Sequence, residues 1–380
     1  MDQTTTRADV IVIGAGIAGA SVAAELAASA KVLLVEMEAQ PGYHTTGRSA
    51  AVFAPSYGPA SIRALTRASQ AFFETPPAGF VDAPLFSPRR ILMIARSDQT
   101  DTLDGLIDQV SAETKVERLG AAALRDLQPL LRDGYAQEGM LDAAGQDIDV
   151  AGLHQGYLRL FRARGGEVLT NVAVEALHRH GADWQLTTPK GVLTAPLVVN
   201  AAGAWADQLG QLAGAEQIHL TPKRRTAMMI AEPQGFTARN GPITIDIDEG
   251  FYLKPDAGRL LISPADETPT TPQDAQPDEM DVAICADRIM TAFDLDIRRI
   301  ETKWAGLRSF VPDKSPVAGF SETVPGFFWL AGQGGYGIQS APALSQFAAA
   351  SVLGKDVPAF ITDQGFDPVA VQPARLKDAA

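Results

Sequence analysis

Three glycines and one acid, in a fixed order, carry the first chemistry legible in this 380-residue chain. Gly14, Gly16 and Gly19 follow the apolar run Asp9–Ile13, and Glu36 comes 22 residues past Gly14. A glycine turn between a strand and a helix can cradle a pyrophosphate. Gly14 allows the tight turn, Gly16 lets the backbone approach the phosphates, and Gly19 lets helix and strand pack closely. The helix N-terminus adds free N–H groups and the positive end of its dipole. Glu36 closes the second apolar run, Lys31–Val35, where a carboxylate accepts hydrogen bonds from ribose hydroxyls and disfavours the extra phosphate of NADP. The fingerprint does not choose between NAD and FAD.

A second glycine loop, Gly332-Gln-Gly-Gly-Tyr-Gly337, follows the apolar run Gly326–Ala331 and opens onto the helical stretch Ile338–Leu353. NAD alone gives this loop no task. A flavin does: a helix N-terminus facing the pyrimidine end of the ring stabilises the negative charge that develops on two-electron reduction. Between the two loops, residues 41–58 are rich in turn formers, and Thr45, Thr46, Arg48 and Ser49 offer donors to phosphate or ring oxygens.

The elements that must hold these residues read as α/β. Asp9–Ile13, a helix over Ala20–Ala30 and the strand Lys31–Val35 form a βαβ unit. Ala60–Phe73 and Val150–Arg164 are helices, and Glu167–Val174 reads as a strand. Short strands follow at the Gly181 and Gly191 turns. Leu197–Gly203 is a second strand-to-glycine element, returning to the dinucleotide sheet. Arg90–Ala95 and four runs between 226 and 262 are strands of another sheet, and Val282–Phe293 is helical. The expected architecture is a Rossmann-like FAD-binding domain with an interleaved α+β substrate domain. The boundaries are 1–85, 145–215 and 306–380 for the first, 86–144 and 216–305 for the second.

Composition excludes several functions. The chain is 46% hydrophobic with one Cys, so neither disorder nor a disulfide scaffold fits. A net charge of −13, with no basic–aromatic stripe, speaks against nucleic acid. The five histidines form no metal-ligand spacing, and Cys285 reads as a core residue. Val10–Ala30 carries one charge, but its three glycines and Glu25 favour a buried strand and helix over a leader or membrane span. A cytoplasmic chain without a transmembrane segment is expected. Residues 263–281 hold six acids and no base, and residues 98–117 hold a net −5. Both stretches read as solvated surface outside the motifs.

The motifs together resemble the FAD-dependent D-amino acid oxidase superfamily across nearly the whole chain. The strings are Val12-Ile-Gly-Ala-Gly-Ile-Ala-Gly19, Tyr43-His-Thr-Thr-Gly-Arg-Ser-Ala50, Val199-Asn-Ala-Ala-Gly-Ala-Trp205, Trp304-Ala-Gly-Leu-Arg308 and Gly334-Gly-Tyr-Gly-Ile-Gln339. Pro222-Lys-Arg-Arg225 and Phe251-Tyr-Leu-Lys-Pro-Asp256 are similar to bacterial D-arginine dehydrogenases and their D-amino acid dehydrogenase relatives. The resemblance implies non-covalent FAD and oxidation of a D-amino acid to an imino acid, which water converts to a 2-oxo acid and ammonia. A small carboxylate substrate and an external electron acceptor are its expected partners.

The resemblance also implies roles for particular residues. Arg225 and Arg308 look like the pair that clamps the substrate carboxylate, a task suited to guanidinium geometry. Tyr252 looks like a second carboxylate contact, and Tyr57 like the tip of a mobile lid shaped by Pro55 and Gly58. Gly335 and Gln339 line the flavin end, and Val174 presents its backbone to the adenine. Ile17, Ala18, Met37, Ala50, Gly203, Gly334, Tyr336, Gly337 and Ile338 complete the implied cofactor set; His44 is assigned no chemistry. The sequence departs from the D-arginine pattern after Ser87-Pro88-Arg89. The position of the carboxylate that holds a substrate guanidinium falls on Ile91, and Val52 and Ala54 replace polar lid residues. An unpartnered buried cation is costly, so a neutral, apolar side chain is favoured. The alternatives are a 2-hydroxy acid or N-substituted amino acid on the same clamp, or a flavin-binding subunit of a larger complex.

Overall fold

Apolar runs that end in glycine turns assemble into a six-stranded sheet in the computed structural model, which describes residues 5–234 and 241–377. Its order is Glu167–Leu169, Val32–Val35, Val10–Ile13, Leu197–Asn200, Phe327–Ala331 and Val317–Phe320. The first five are mutually parallel and the last is antiparallel. The central strands read as unbroken hydrophobic runs because both faces are covered. One face packs on the helices Ile17–Leu26, Val150–Ala163 and Gly337–Val352. The other meets a small four-stranded sheet and the helix Ala206–Ala213. The first helix starts at Ile17, three residues earlier than its sequence pattern suggests, since Gly16 is its extended N-cap.

The second, nine-stranded sheet contains Ile91–Ala95, Glu138–Asp142, Thr221–Ala231, Ile243–Asp246, Tyr252–Asp256, Arg259–Ser263 and Thr302–Phe310. Along each strand, alternate residues point to opposite faces. Leu92, Leu253 and Ile262 therefore enter a core closed by the helix Glu279–Ala292, with Cys285 fully buried in it. Ile91, Ala227, Tyr252 and Leu261 face the other way, toward the cofactor sheet. A further sheet of three short strands, Val52–Phe53, Gln146–Ile148 and Phe86–Pro88, joins the six- and nine-stranded sheets.

Three sequence expectations need correction. The strand begun at Glu167 ends at Leu169, because Asn171 takes a left-handed backbone (φ 56°) and turns the chain. The boundary at 306 cuts through Thr302–Phe310, which pairs along its whole length with Thr221–Met229. That strand belongs to the substrate sheet. Helix Glu279–Ala292 begins three residues before its expected start, where the Asp278 side chain accepts a hydrogen bond from Met280 N–H. Residues 1–4, 235–240 and 378–380, which fall within the expected domain spans, lie outside the described residues.

Candidate active site

The glycine turn is shaped as its sequence demands. Gly14 has φ +98°, and a Cβ on Gly19 would sit 1.7 Å from the Gly14 carbonyl oxygen, so helix and turn touch backbone to backbone. Glu36 accepts hydrogen bonds from Ala15 N–H at 2.7 Å and Glu38 N–H at 3.0 Å. Thr46 Oγ1 accepts from Ile17 N–H at 2.9 Å, which satisfies a donor at the first turn of the helix. His154 Nε2 lies 2.9 Å from the Ala15 carbonyl, and burial pushes this imidazole below its ordinary value despite that bond.

A cavity of about 420 Å³ runs from this turn to the substrate sheet. It is lined by Gly14, Gly16, Ile17, Ala18 and Glu36 from the βαβ unit and by Thr45, Thr46, Arg48, Ser49 and Ala50 from the loop after it. Met37, Val174 and Gly203 border it at one end, and Gly334, Gly335, Gly337 and Ile338 at the other, with Arg225, Tyr252 and Arg308 beyond. Gly19, Tyr57, Tyr336 and Gln339 do not line it. Gly19 packs the turn, Tyr57 and Tyr336 meet edge to face at 5.2 Å, and Gln339 Oε1 accepts from Ala54 N–H at 2.9 Å.

The cavity's own groups fit an FAD. Met37, Tyr43 and Leu212 are exposed apolar side chains that all line the cavity, where a bound FAD would cover them. Gln333 Nε2 and Ser309 Oγ line the other end, buried and without a hydrogen-bond partner among the described residues. Such orphaned groups are rare unless a ligand satisfies them. Gln333 has a sequence signal, since it is the one polar side chain inside the Gly332–Gly335 run. Ser309 has none, because only the pairing of Thr302–Phe310 brings it here.

At the far end the two arginines differ. Arg225 is buried and already engaged, donating to the Asp266 carbonyl at 2.9 Å and to Glu267 at 3.2 Å. Arg308 makes no hydrogen bond or ion pair with any described residue. Burial lowers the Arg225 pKa, and the charge of Arg308 adds to that, so two like charges share one pocket. An unpaired guanidinium beside another cation is an anion site. A Cβ on Gly335 would lie 2.8 Å from the Arg308 guanidinium, so only glycine leaves that approach open. The Tyr252 hydroxyl forms no hydrogen bond with described residues and is free to join Arg308. Burial, then the charge of Glu249, raises the Tyr57 hydroxyl well above its ordinary value and pushes Tyr336 up to about 12. Glu249 was not foreseen; it sits on a left-handed residue (φ 57°) in the turn before Tyr252.

Two further expectations change. The acidic stretch 263–281 is not simply solvated surface: Glu267 pairs with Arg225 and Lys223, and Asp266 is buried against Thr226 and Arg224. Arg48 lines the cavity, but its guanidinium donates to the carbonyls of Ala275 and Ala305 and to Asp274. It ties the cofactor loop to the substrate sheet.

A dinucleotide cradle opening onto an anion pocket defines a flavin-type oxidoreductase site. Residues 9–351 match the family described as DAO, FAD dependent oxidoreductase, and the chain belongs to that family, with FAD as its cofactor. It is similar to an uncharacterized oxidoreductase, YurR, of Bacillus subtilis, at 24% identity over 376 residues, covering 91% of this chain and 95% of that protein. Glycine oxidase of Bacillus licheniformis is 25% identical over 364 residues, covering 92% and 94% of the two chains. The solved glycine oxidase of Geobacillus kaustophilus shares the fold, with a TM-score of 0.82 at 21% identity over 92% and 96% of the chains. Among the described residues no helix is long and apolar enough to cross a membrane, and no cluster of metal-ligating side chains occurs.

Proposed function

We propose that the chain oxidises a D-amino acid with a neutral, apolar side chain to the 2-oxo acid and ammonia. The observation that carries this reading is Arg308, whose guanidinium has no hydrogen-bond or ion-pair partner among the described residues, at the end of the cofactor cavity. FAD, when bound, supplies the two-electron acceptor for the hydride that leaves the substrate α-carbon. Arg308 and Tyr252 bind the carboxylate, Arg225 adds positive charge, and the clamp fixes the direction of the Cα–H bond. Tyr57 and Tyr336, with raised pKa values, stay protonated at neutral pH and do not act as bases. The substrate ammonium loses its proton to water before the hydride departs, and water then hydrolyses the imine. The D configuration rests on the resemblance of Pro222–Arg225 and Phe251–Asp256 to D-amino acid dehydrogenases. The neutral side chain rests on Ile91, buried where a carboxylate would hold a cation.

Anaerobic bleaching of the flavin by D-amino acids, L-amino acids and 2-hydroxy acids tests the proposal. Neutral D-amino acids should bleach fastest and release ammonia on turnover. A higher specificity constant for D-arginine or D-lysine, or bleaching by 2-hydroxy acids without ammonia, would overturn it. The isolated chain should reduce a dye with substrate, which separates it from a subunit that needs a partner.

A further inference from the structure

Ala50, Ala227 and Tyr252 line the cavity, and the neighbouring residues Ile91, Asp142, Ile243 and Lys254 of the substrate sheet do not. Ile243 pairs with Ile91, and Ile91 with Asp142. Thr244 pairs with Leu253, so Lys254 stands on the other side of Ile243. One row across the sheet therefore reads Lys254, Ile243, Ile91, Asp142, with a charged group at each end of an isoleucine floor.

The segment 52–57 packs on this floor: Val52, Ala54 and Tyr57 share one apolar cluster with Ile91 and Ile243. Both charged ends of the row reach up to hold it. Asp142, fully buried, accepts from Ser56 Oγ at 2.6 Å. Lys254 lies 2.9 Å from Asp147, the residue paired with Val52 in the short sheet, and Asp147 also accepts from Arg89 Nε at 2.8 Å. Buried polar pairs contribute less to net stability than apolar replacements would, and their best-attested use is to fix register.

We propose that Asp142 and Asp147 are specificity-determining positioning residues. They pin the 52–57 segment onto the isoleucine floor, and the closed wall limits the length of the neutral side chain that a substrate can carry. This rests on the carboxylate-clamp reading above. Neither residue touches substrate; each acts through the wall.

The test uses the FAD-loaded protein and equilibrium binding, followed by the flavin absorbance change with acetate and with 4-methylpentanoate. Ser56→Ala, which releases one pin and leaves the clamp intact, should improve binding of the longer acid relative to acetate by about tenfold. Ser56→Thr, which keeps a hydroxyl, should restore the wild-type ratio, a rescue that general destabilisation would not produce. Asp147→Asn should move the ratio in the same direction. An unchanged ratio in Ser56→Ala, with both acids still bound in an Arg308-dependent way, overturns the proposal alone. If neither acid binds the wild type, the clamp fails and this inference falls with it.

Discussion

Arg308 and Arg225 lie in one pocket, yet they should not respond alike to mutation. Arg225 already donates to the Asp266 carbonyl and Glu267, so its charge is partly neutralised by the protein. Arg308 has no such partner among the described residues, so a bound carboxylate supplies its first anionic contact. Truncating one member of a buried charge-assisted pair costs about 2–5 kcal/mol, roughly 30-fold to several thousand-fold in affinity. Arg308→Met is therefore expected to lower kcat/KM by at least about 30-fold, mostly through KM, with the flavin spectrum retained. Arg225→Met should lower kcat/KM less and also reduce thermal stability, since it strands the Asp266 carbonyl and takes one of the cations from Glu267. Steady-state kinetics beside melting curves checks both. A larger catalytic loss for Arg225 than for Arg308 would count against this division of labour.

The segment that leads into the helix Ala60–Glu74 shows how charge at a distance fixes a loop. Arg63, on the helix Ala60–Glu74, donates to the Gly58 carbonyl at 2.9 Å and to both oxygens of Glu113. Its hydrogen bond, helped by one from Arg67 and opposed by burial, pulls Glu113 down to about 2. A carboxyl lowered from 4.5 in this way stabilises the fold above about pH 4.5, and that share is lost as pH falls toward 2. Glu113→Gln should thus melt below the wild type at pH 7, and the two should converge near pH 2. A constant gap across that range would remove Glu113 from the account. The same element shows where sequence reading stops. The βαβ unit, Glu36 and the terminal glycine loop are legible because turn, strand and cap act over a few neighbouring residues. Glu113 looks like one acid on a solvated helix end, and Glu267 like one of six in a loop. Their partners lie 50 and 42 residues away, and only the folded chain brings them together. Tyr57 could be placed by resemblance, but its ties through Ala54, Ser56 and Gly58 could not.

At the scale of the molecule, cofactor turn and fold share one titrating group. His154 comes from the helix Val150–Ala163, and its ring bonds the Ala15 carbonyl within the pyrophosphate turn. Burial lowers its pKa in the fold, so the unfolded chain takes up the proton first as pH drops. Stability should fall as the pH passes downward through about 6.5, the ordinary histidine value, and retained FAD should fall with it. Excess FAD should offset the loss by mass action, about 3–4 kcal/mol at 100 to 1,000 times its dissociation constant. Melting curves from pH 7.5 to 5.5, with and without added FAD, give the comparison with His154→Gln. If that variant keeps the wild-type pH slope, the histidine is not the sensor. The expected boundary at 306, read from motif positions, splits a strand that pairing keeps whole.

The cofactor sheet also sets a timetable. Leu197–Asn200 lies between Val10–Ile13 and Phe327–Ala331, so its second neighbour leaves the ribosome more than a hundred residues after it. Until then a nascent chain exposes the unpaired edge of a mostly apolar strand, the kind of edge on which chains associate. The helix that would face the flavin ring, Gly337–Val352, arrives later still. Early FAD capture by the glycine turn could not complete the sheet, because the missing strand has yet to be made. Translation pausing before Phe327 should therefore favour aggregation, whereas pausing after Val352 should not.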